Sequence, residues 1–283
     1  MKFGISMFPT EDAIRPAELA AAAEDRGFDS FWVPEHSHIP VSEATPGRDS
    51  GALPAMYYET MDPFVSLATA AQATEKILLG TSICLIIQRD PIQLAKEVAS
   101  LDVLSGGRFQ FGIGPGWNQP EIENHGTQFN KRVGVMRDRV AAMKKIWTEE
   151  KAEHHGKYVD FGPMYAWPKP TRKPHPPIHI AANLPQALKR LVDYGDGWMP
   201  MPGAGESEPL QHIPALRQKL RESGRDPDGF EISMYYCPDD DDYIRQLRDA
   251  GVDRAIFVLD PTPRDQALTQ LDTLARGERA GNG

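Results

Sequence analysis

The chain reads as an α/β protein, and its pattern favours a (β/α)8 barrel over an open, doubly wound sheet. Three observations lead there. Strand signals and helix signals alternate from one end to the other, which calls for a parallel sheet. The 283 residues accommodate eight such units. The C-terminal ends of the strands collect small, polar and aromatic residues, the place where a barrel keeps its chemistry.

The elements follow in order. Phe3 to Phe8 is a short apolar strand, and Pro16 to Arg26 an alanine-rich helix opened by proline and closed by Gly27. Phe28 to Pro34 is the second strand, running into Glu35-His36-Ser37-His38. Residues 39–61 form a loop too long for a plain connector, which marks it as functional. Asp62-Pro63 and Asp90-Pro91 each open a helix, aspartate as N-cap and proline in the first position. Between them lies the third strand, Ile77 to Ile83. The second of these helices carries the stripe Leu94, Val98, Leu101 and Leu104, and Ser105-Gly106-Gly107 stops it. Arg108 to Ile113 is the fourth strand. Val133, Met136, Val140, Met143 and Trp147 mark one face of the next helix, with the two methionines as core.

Residues 151–176 are rich in His, Gly and Pro and read as an insertion with a small hairpin, GKYVDF. Pro177 to Ala181 is strand five, with a helix expected over Leu184 to Tyr194. Gly197 to Met201 and Phe230 to Tyr236 are strands six and seven, flanking a helix over Leu210 to Glu222. The acidic run Asp239 to Asp242 reads as charge at a helix N-terminus. A helix over Tyr243 to Ala250, the strand Arg254 to Leu259 and the helix Pro263 to Ala275 complete one domain, residues 1–276. The tail, 277–283, is expected to be disordered.

Composition narrows the function. A net charge of −9 argues against a nucleic-acid surface. Two cysteines, Cys84 and Cys237, lie outside any CxxC pattern and speak for a reducing compartment. No stretch approaches the ~20 apolar residues of a membrane span, and the N-terminus lacks a signal-peptide pattern. A soluble, cytoplasmic protein acting on a small molecule is the expectation.

Gly112, Gly114 and Gly116 end strand four, where small residues let a ligand lie against the backbone; Trp117, Asn118 and Glu121 follow. The spacing is not the GxGxxG dinucleotide fingerprint. After strand five, Ala181-Ala182-Asn183 precede a helix whose free N–H groups suit a phosphate. His36, read alone beside a carboxylate, is a satisfied structural histidine.

The run Arg89 to Trp117, RDPIQLAKEVASLDVLSGGRFQFGIGPGW, closely resembles the bacterial luciferase-like monooxygenase family. The nearest branch is the one that uses the deazaflavin coenzyme F420. The resemblance extends from Met1 to about Leu274. It implies the barrel, with an insertion before strand five, and settles the choice against the open sheet. It implies hydride transfer between F420 and a small organic substrate, an FMN-dependent monooxygenase being the alternative. The acidic residue–His pair then becomes Glu35 and His36, touching the ring and the reacting centre. Ser82-Ile83 matches the family's strand-three bulge, where a non-prolyl cis peptide backs the ring. Gly114, Gly116 and Trp117, with Ala181, Ala182 and Asn183 at the phosphate, complete the cofactor contacts. Arg190, or Lys169, Arg172 and Lys173, would meet the anionic tail of F420. Asp196-Gly197-Trp198 matches the family's DGW, a structural motif. A homodimer packed through helices near strands two to four is implied as well. One departure stands out: related sugar-phosphate dehydrogenases carry an acidic glutamate where this chain has Trp117.

Two readings from other classes compete. His36-Ser37-His38 with His179 and Asp260 resembles a metal-dependent barrel hydrolase, although the HxH follows strand two and strand six carries no histidine. A cofactor-binding protein without turnover is the other. The preferred reading carries no metal.

Overall fold

The apolar strands close into one ring. The computed structural model describes residues 1–41, 53–203 and 208–275; the expected tail and most of the centre of loop 39–61 lie outside them. Chain order runs β1 (Lys2–Met7), α1 (Pro16–Asp25), β2 (Ser30–Val33), α2 (Met56–Glu59), α3 (Pro63–Ala73), β3 (Leu78–Thr81), α4 (Pro91–Leu104), β4 (Phe109–Ile113) and α5 (Gln119–Asn124). It continues through α6 (Arg132–Thr148), β5 (Ala152–His155), β6 (Asp160–Met164), β7 (Ile178–Ala181), α7 (Leu188–Tyr194) and β8 (Gly197–Met199). The last units are α8 (Ile213–Glu222), β9 (Glu231–Tyr235), α9 (Asp241–Asp249), β10 (Arg254–Leu259) and α10 (Arg264–Leu274). The barrel is closed in the order β1-β10-β9-β8-β7-β4-β3-β2, and every pairing around it is parallel. β5 and β6 form a separate antiparallel pair. The insertion is therefore a hairpin outside the ring, and GKYVDF supplies its turn and the start of β6 instead of the whole hairpin.

Local chemistry sets the helix ends. Asp62 Oδ1 accepts from the Phe64 and Val65 amides at 2.9 and 3.0 Å, and Asp90 Oδ1 from Ile92 and Gln93 at 3.0 and 2.9 Å. Each such cap is worth about 1 kcal/mol. Asp240 caps α9 through Tyr243 N at 2.8 Å, with Asp241 and Asp242 in the first turn, which accounts for the acidic run. α4 ends where Gly106 takes a left-handed φ of 66°. Leu94, Val98 and Leu101 are buried as the stripe requires, but Leu104 is 52% exposed, because the helix ends there and its last position turns outward. Arg108, just beyond, donates to the carbonyls of Ser105, Ile77, Ala71 and Thr74, tying α3 and α4 to the strands.

Two layers of packing result. Between strands and helices lie Phe31, Phe109, Phe111, Leu67, Met136, Met143 and Trp147, all 2% exposed or less; both methionines are core, as expected. Inside the barrel, Trp32 fills the middle with no exposure. Gly80 lies against it so closely that an added Cβ would fall inside the indole ring. Met199, Tyr235 and Ile256 pack with Trp32 on the inside. At the N-terminal ends of the strands, fully buried Arg254 is held by Asp29 Oδ2 at 2.8 Å, by Glu231, and by Ser233 Oγ at 3.1 Å. No described helix is long and apolar enough to cross a membrane.

Candidate active site

The C-terminal strand ends surround a cavity of about 560 Å³, within the size range of small-ligand sites. Ile83, Gly114, Gly116, Trp117, Ala181, Ala182 and Asn183 line it, together with Met199, Met201 and Arg190. The residues picked from strand ends three, four and five are thus brought to one place. A Cβ at Gly114 would meet Ile83 Cδ1 at 2.5 Å, so the glycine makes room for Ile83. The Ser82-Ile83 peptide is cis. Ser82 does not line the cavity. Its Oγ turns into the barrel, 3.1 Å from Ser6 Oγ, which in turn lies 3.2 Å from the Tyr235 hydroxyl.

The loop after β7 differs from expectation. The helix begins at Leu188, not Leu184, and turn bonds from Ala187 N to Asn183 O and from Leu188 N to Pro185 O fill the gap. Pro185 disfavours the α region for Leu184, which delays the helix. The amides next to Asn183 therefore do not open a helix. Trp198 of the DGW motif fixes this loop, its indole donating to the Ala182 carbonyl at 2.8 Å.

His36 Nδ1 sits 2.8 Å from Glu121 Oε2, and Glu121 Oε1 accepts from the Ser37 amide at 3.1 Å. Glu121 is 1% exposed and rides on α5, whose N-cap, Asn118, reaches the Glu121 amide. A carboxylate at Nδ1 fixes the proton there and leaves Nε2 with an open lone pair. Among the described residues, Nε2 has no protein partner. The ring stands 5.7 Å from Trp117, edge-on, and 5.3 Å from Tyr57. Trp117 lines the cavity, so His36 lies beside it with one nitrogen held and the other free.

Glu35 does not join that pair. It is buried, with Oε2 accepting from Leu85 N and Oε1 from Arg89 Nε, both at 2.6 Å. Burial pushes its carboxyl above the usual range, opposed by the Arg89 guanidinium and the Leu85 amide. Arg89 also binds Asp62 and Glu97. The acid beside His36 in space is Glu121, and its chain neighbour Glu35 anchors the start of the loop through Arg89.

The cationic residues proposed for a tail divide. Lys169 is held by the carbonyls of Ile146 and Glu149. Arg172 and Lys173 line a different cavity with Gln110, His179 and Glu231, beside the N-terminal ends of β4, β7 and β9. Only Arg190 reaches the strand-end cavity, because the others precede strand five and a barrel sends the start of a strand to the opposite face. The hydrolase constellation likewise does not converge. His38 contacts Ser37 and Asn124, His179 contacts Gln110 at 3.1 Å, and the Asp260 amide binds Gln270. Burial drops His179 to about 4, which keeps it neutral.

The family model for luciferase-like monooxygenases matches residues 1–280. The chain belongs to that family. An uncharacterized protein of Mycobacterium tuberculosis is 36% identical to it over 281 residues, covering 97% of this luciferase-like chain and 98% of its own. The F420-dependent glucose-6-phosphate dehydrogenase of Kineococcus radiotolerans is 30% identical over 215 residues, 74% of this chain and 59% of that one. The crystal structure of monooxygenase RslO1 from Streptomyces bottropensis superimposes with a TM-score of 0.77 at 21% identity, covering 97% of this chain and 98% of that one. The two chains thus share one fold.

The sequence did not single out Tyr57, Arg89 or Met199. Tyr57 stands on α2, a four-residue helix inside a loop read as irregular. Arg89 was visible only as part of a turn motif, without its partner. Met199, inside strand six, carried no signal of its own.

Proposed function

We propose that the chain is an oxidoreductase that passes hydride between coenzyme F420 and a small organic substrate. The observation that carries this reading is His36, locked by Glu121 through Nδ1, open at Nε2 and edge-on to the cavity wall at Trp117. The residues present fit an anionic ring cofactor. Ile83, Ala181 and Met199 offer apolar contact, and Arg190 lines the same cavity with a buried Nε that has no hydrogen-bond partner. F420 supplies two-electron hydride chemistry when bound. The chain's part is to hold the ring against Ile83, and to place His36 Nε2 where it exchanges a proton with the substrate. Glu121 favours the imidazolium that forms, an electrostatic contribution made when charge develops. Ser82, Gly114, Gly116, Ala182 and Asn183 position the cofactor, Ser82 from inside the barrel. Glu35 is read as a positioning residue for the His36 loop.

The relative named as F420-dependent supports this cofactor over FMN. A sugar phosphate is not the expected substrate, since Trp117 replaces the glutamate of those dehydrogenases. The test is a binding titration of both cofactors against purified protein, followed by anaerobic hydride exchange with reduced F420. F420 binding with reversible hydride transfer is the expected result. FMN binding with oxygen uptake would assign the chain to the monooxygenases, and F420 binding without any redox exchange would make it a carrier.

A homodimer belongs to the same proposal. Val65 on α3 and Ile92, Val103 and Leu104 on α4 are exposed apolar residues on the helices where the family resemblance puts the contact. Sedimentation at micromolar concentration should give a dimer.

A further inference from the structure

The strand-end cavity does not end at Arg190. Arg190 and Gln186 also line a second cavity of about 270 Å³ between α6 and α7, whose other walls include Arg137, Lys189 and Tyr194. The charge there is unbalanced. Among the described residues, Arg137 and Arg190 make no ion pair, and neither does Arg132 nearby; Lys189 pairs with Asp193 at 2.8 Å. The Nε atoms of Arg190 and Arg132, and the Tyr194 hydroxyl, are buried without hydrogen-bond partners. Burial, with Arg132 adding to it, lowers the Arg190 guanidinium. On a chain of net charge −9, two part-buried arginines without ion pairs, Arg132 and Arg190, beside exposed Arg137 are not a by-product of excess base. Burying such cations without a counter-charge is costly, and arginine forks match carboxylates and phosphates bidentately.

We propose that this second cavity takes the carboxylate-bearing end of an anionic cofactor whose ring occupies the strand-end cavity. Arg190, at the junction, meets the linking phosphate; Arg137 and Lys189 meet carboxylates beyond it. The assignment rests on the F420 reading, since FMN ends at its phosphate and has nothing to place past Arg190.

The test uses the whole chain and the fluorescence of the deazaflavin. Species with no glutamate and with several glutamates are titrated into the wild-type protein and into Arg137→Ala, Lys189→Ala and the double variant. Arg137 and Lys189 are exposed, so the variants should fold, which their melting curves check. Affinity should rise about tenfold with the longer tail in the wild type, as a few part-exposed charge pairs allow. The double variant should lose that gain and keep its affinity for the species without glutamate. Equal affinity at both lengths, or a gain that survives both substitutions, overturns the assignment alone. Failure of every deazaflavin species to bind removes the F420 reading, and the assignment with it. A free oligoglutamate peptide that binds equally well without cofactor would give the cavity to an unrelated acidic partner.

Discussion

Glu121, 85 positions away in the chain, holds His36 at 2.8 Å, while adjacent Glu35 is bound to Arg89 instead. The two acids therefore do different work, and substitution should separate them.

His36→Ala should lower kcat and kcat/KM together by roughly 10²-fold while leaving cofactor affinity nearly unchanged. Glu121→Gln keeps the shape and removes the charge, and should lose about tenfold or more in the same two quantities. Steady-state kinetics beside a cofactor titration separates the effects. Parallel losses in binding and rate would give His36 a structural role.

Glu35→Gln should act on stability. Breaking a buried ion pair from one side costs about 3–5 kcal/mol. Arg89 keeps Asp62 and Glu97, so the lower end of that range, about 3 kcal/mol, is expected. Urea denaturation measures it. A fully stable variant with abolished turnover would move Glu35 into the chemistry.

His179 should make stability fall in mild acid. Its folded value is about 4, against 6.5 for an unperturbed imidazole. Between those pH values the unfolded chain binds a proton that the folded chain does not. Its contribution is therefore intact above 6.5 and is lost as pH falls toward 4, by roughly 3 kcal/mol in all. Thermal melting from pH 7.5 to 4, compared between the wild type and His179→Gln, should show a shallower decline in the variant. Identical slopes would exclude His179 as the source.

Gly80→Ala should destabilise the barrel by more than the ~1–3 kcal/mol usual for overpacking, because its Cβ would enter the Trp32 ring. Adding Trp32→Phe should recover part of the loss. A tolerated Gly80→Ala, measured by melting temperature, would mean that Trp32 can move.

The ring of strands was legible because each strand is apolar in its own right, and the cavity because a barrel gathers the strand ends. Segments at the ends of strands three, four and five could thus be placed around one cavity without knowing any contact between them. What stayed hidden was pairing across distance. Nothing local in Glu35 points to Arg89, 54 positions on, nor in His36 to Glu121. The sequence pattern starts α7 at 184 and the structure at 188, because leucine–proline–glutamine–alanine has helical composition while proline restrains the residue before it. Charge alone points Lys169, Arg172 and Lys173 to the cavity; their place before strand five puts Arg172 and Lys173 on the other face.

Trp32 also has a kinetic meaning. With its indole filling the barrel between Gly80 and the Arg254 cluster, no passage runs through the ring. Whatever reaches the cavity therefore comes and goes on the strand-end side. If a ring cofactor lies innermost, the organic substrate stacks above it and blocks its exit. Turnover then follows a compulsory sequence: cofactor enters first and leaves last. Product should compete with the incoming substrate, and should slow release of the cofactor without competing for its site.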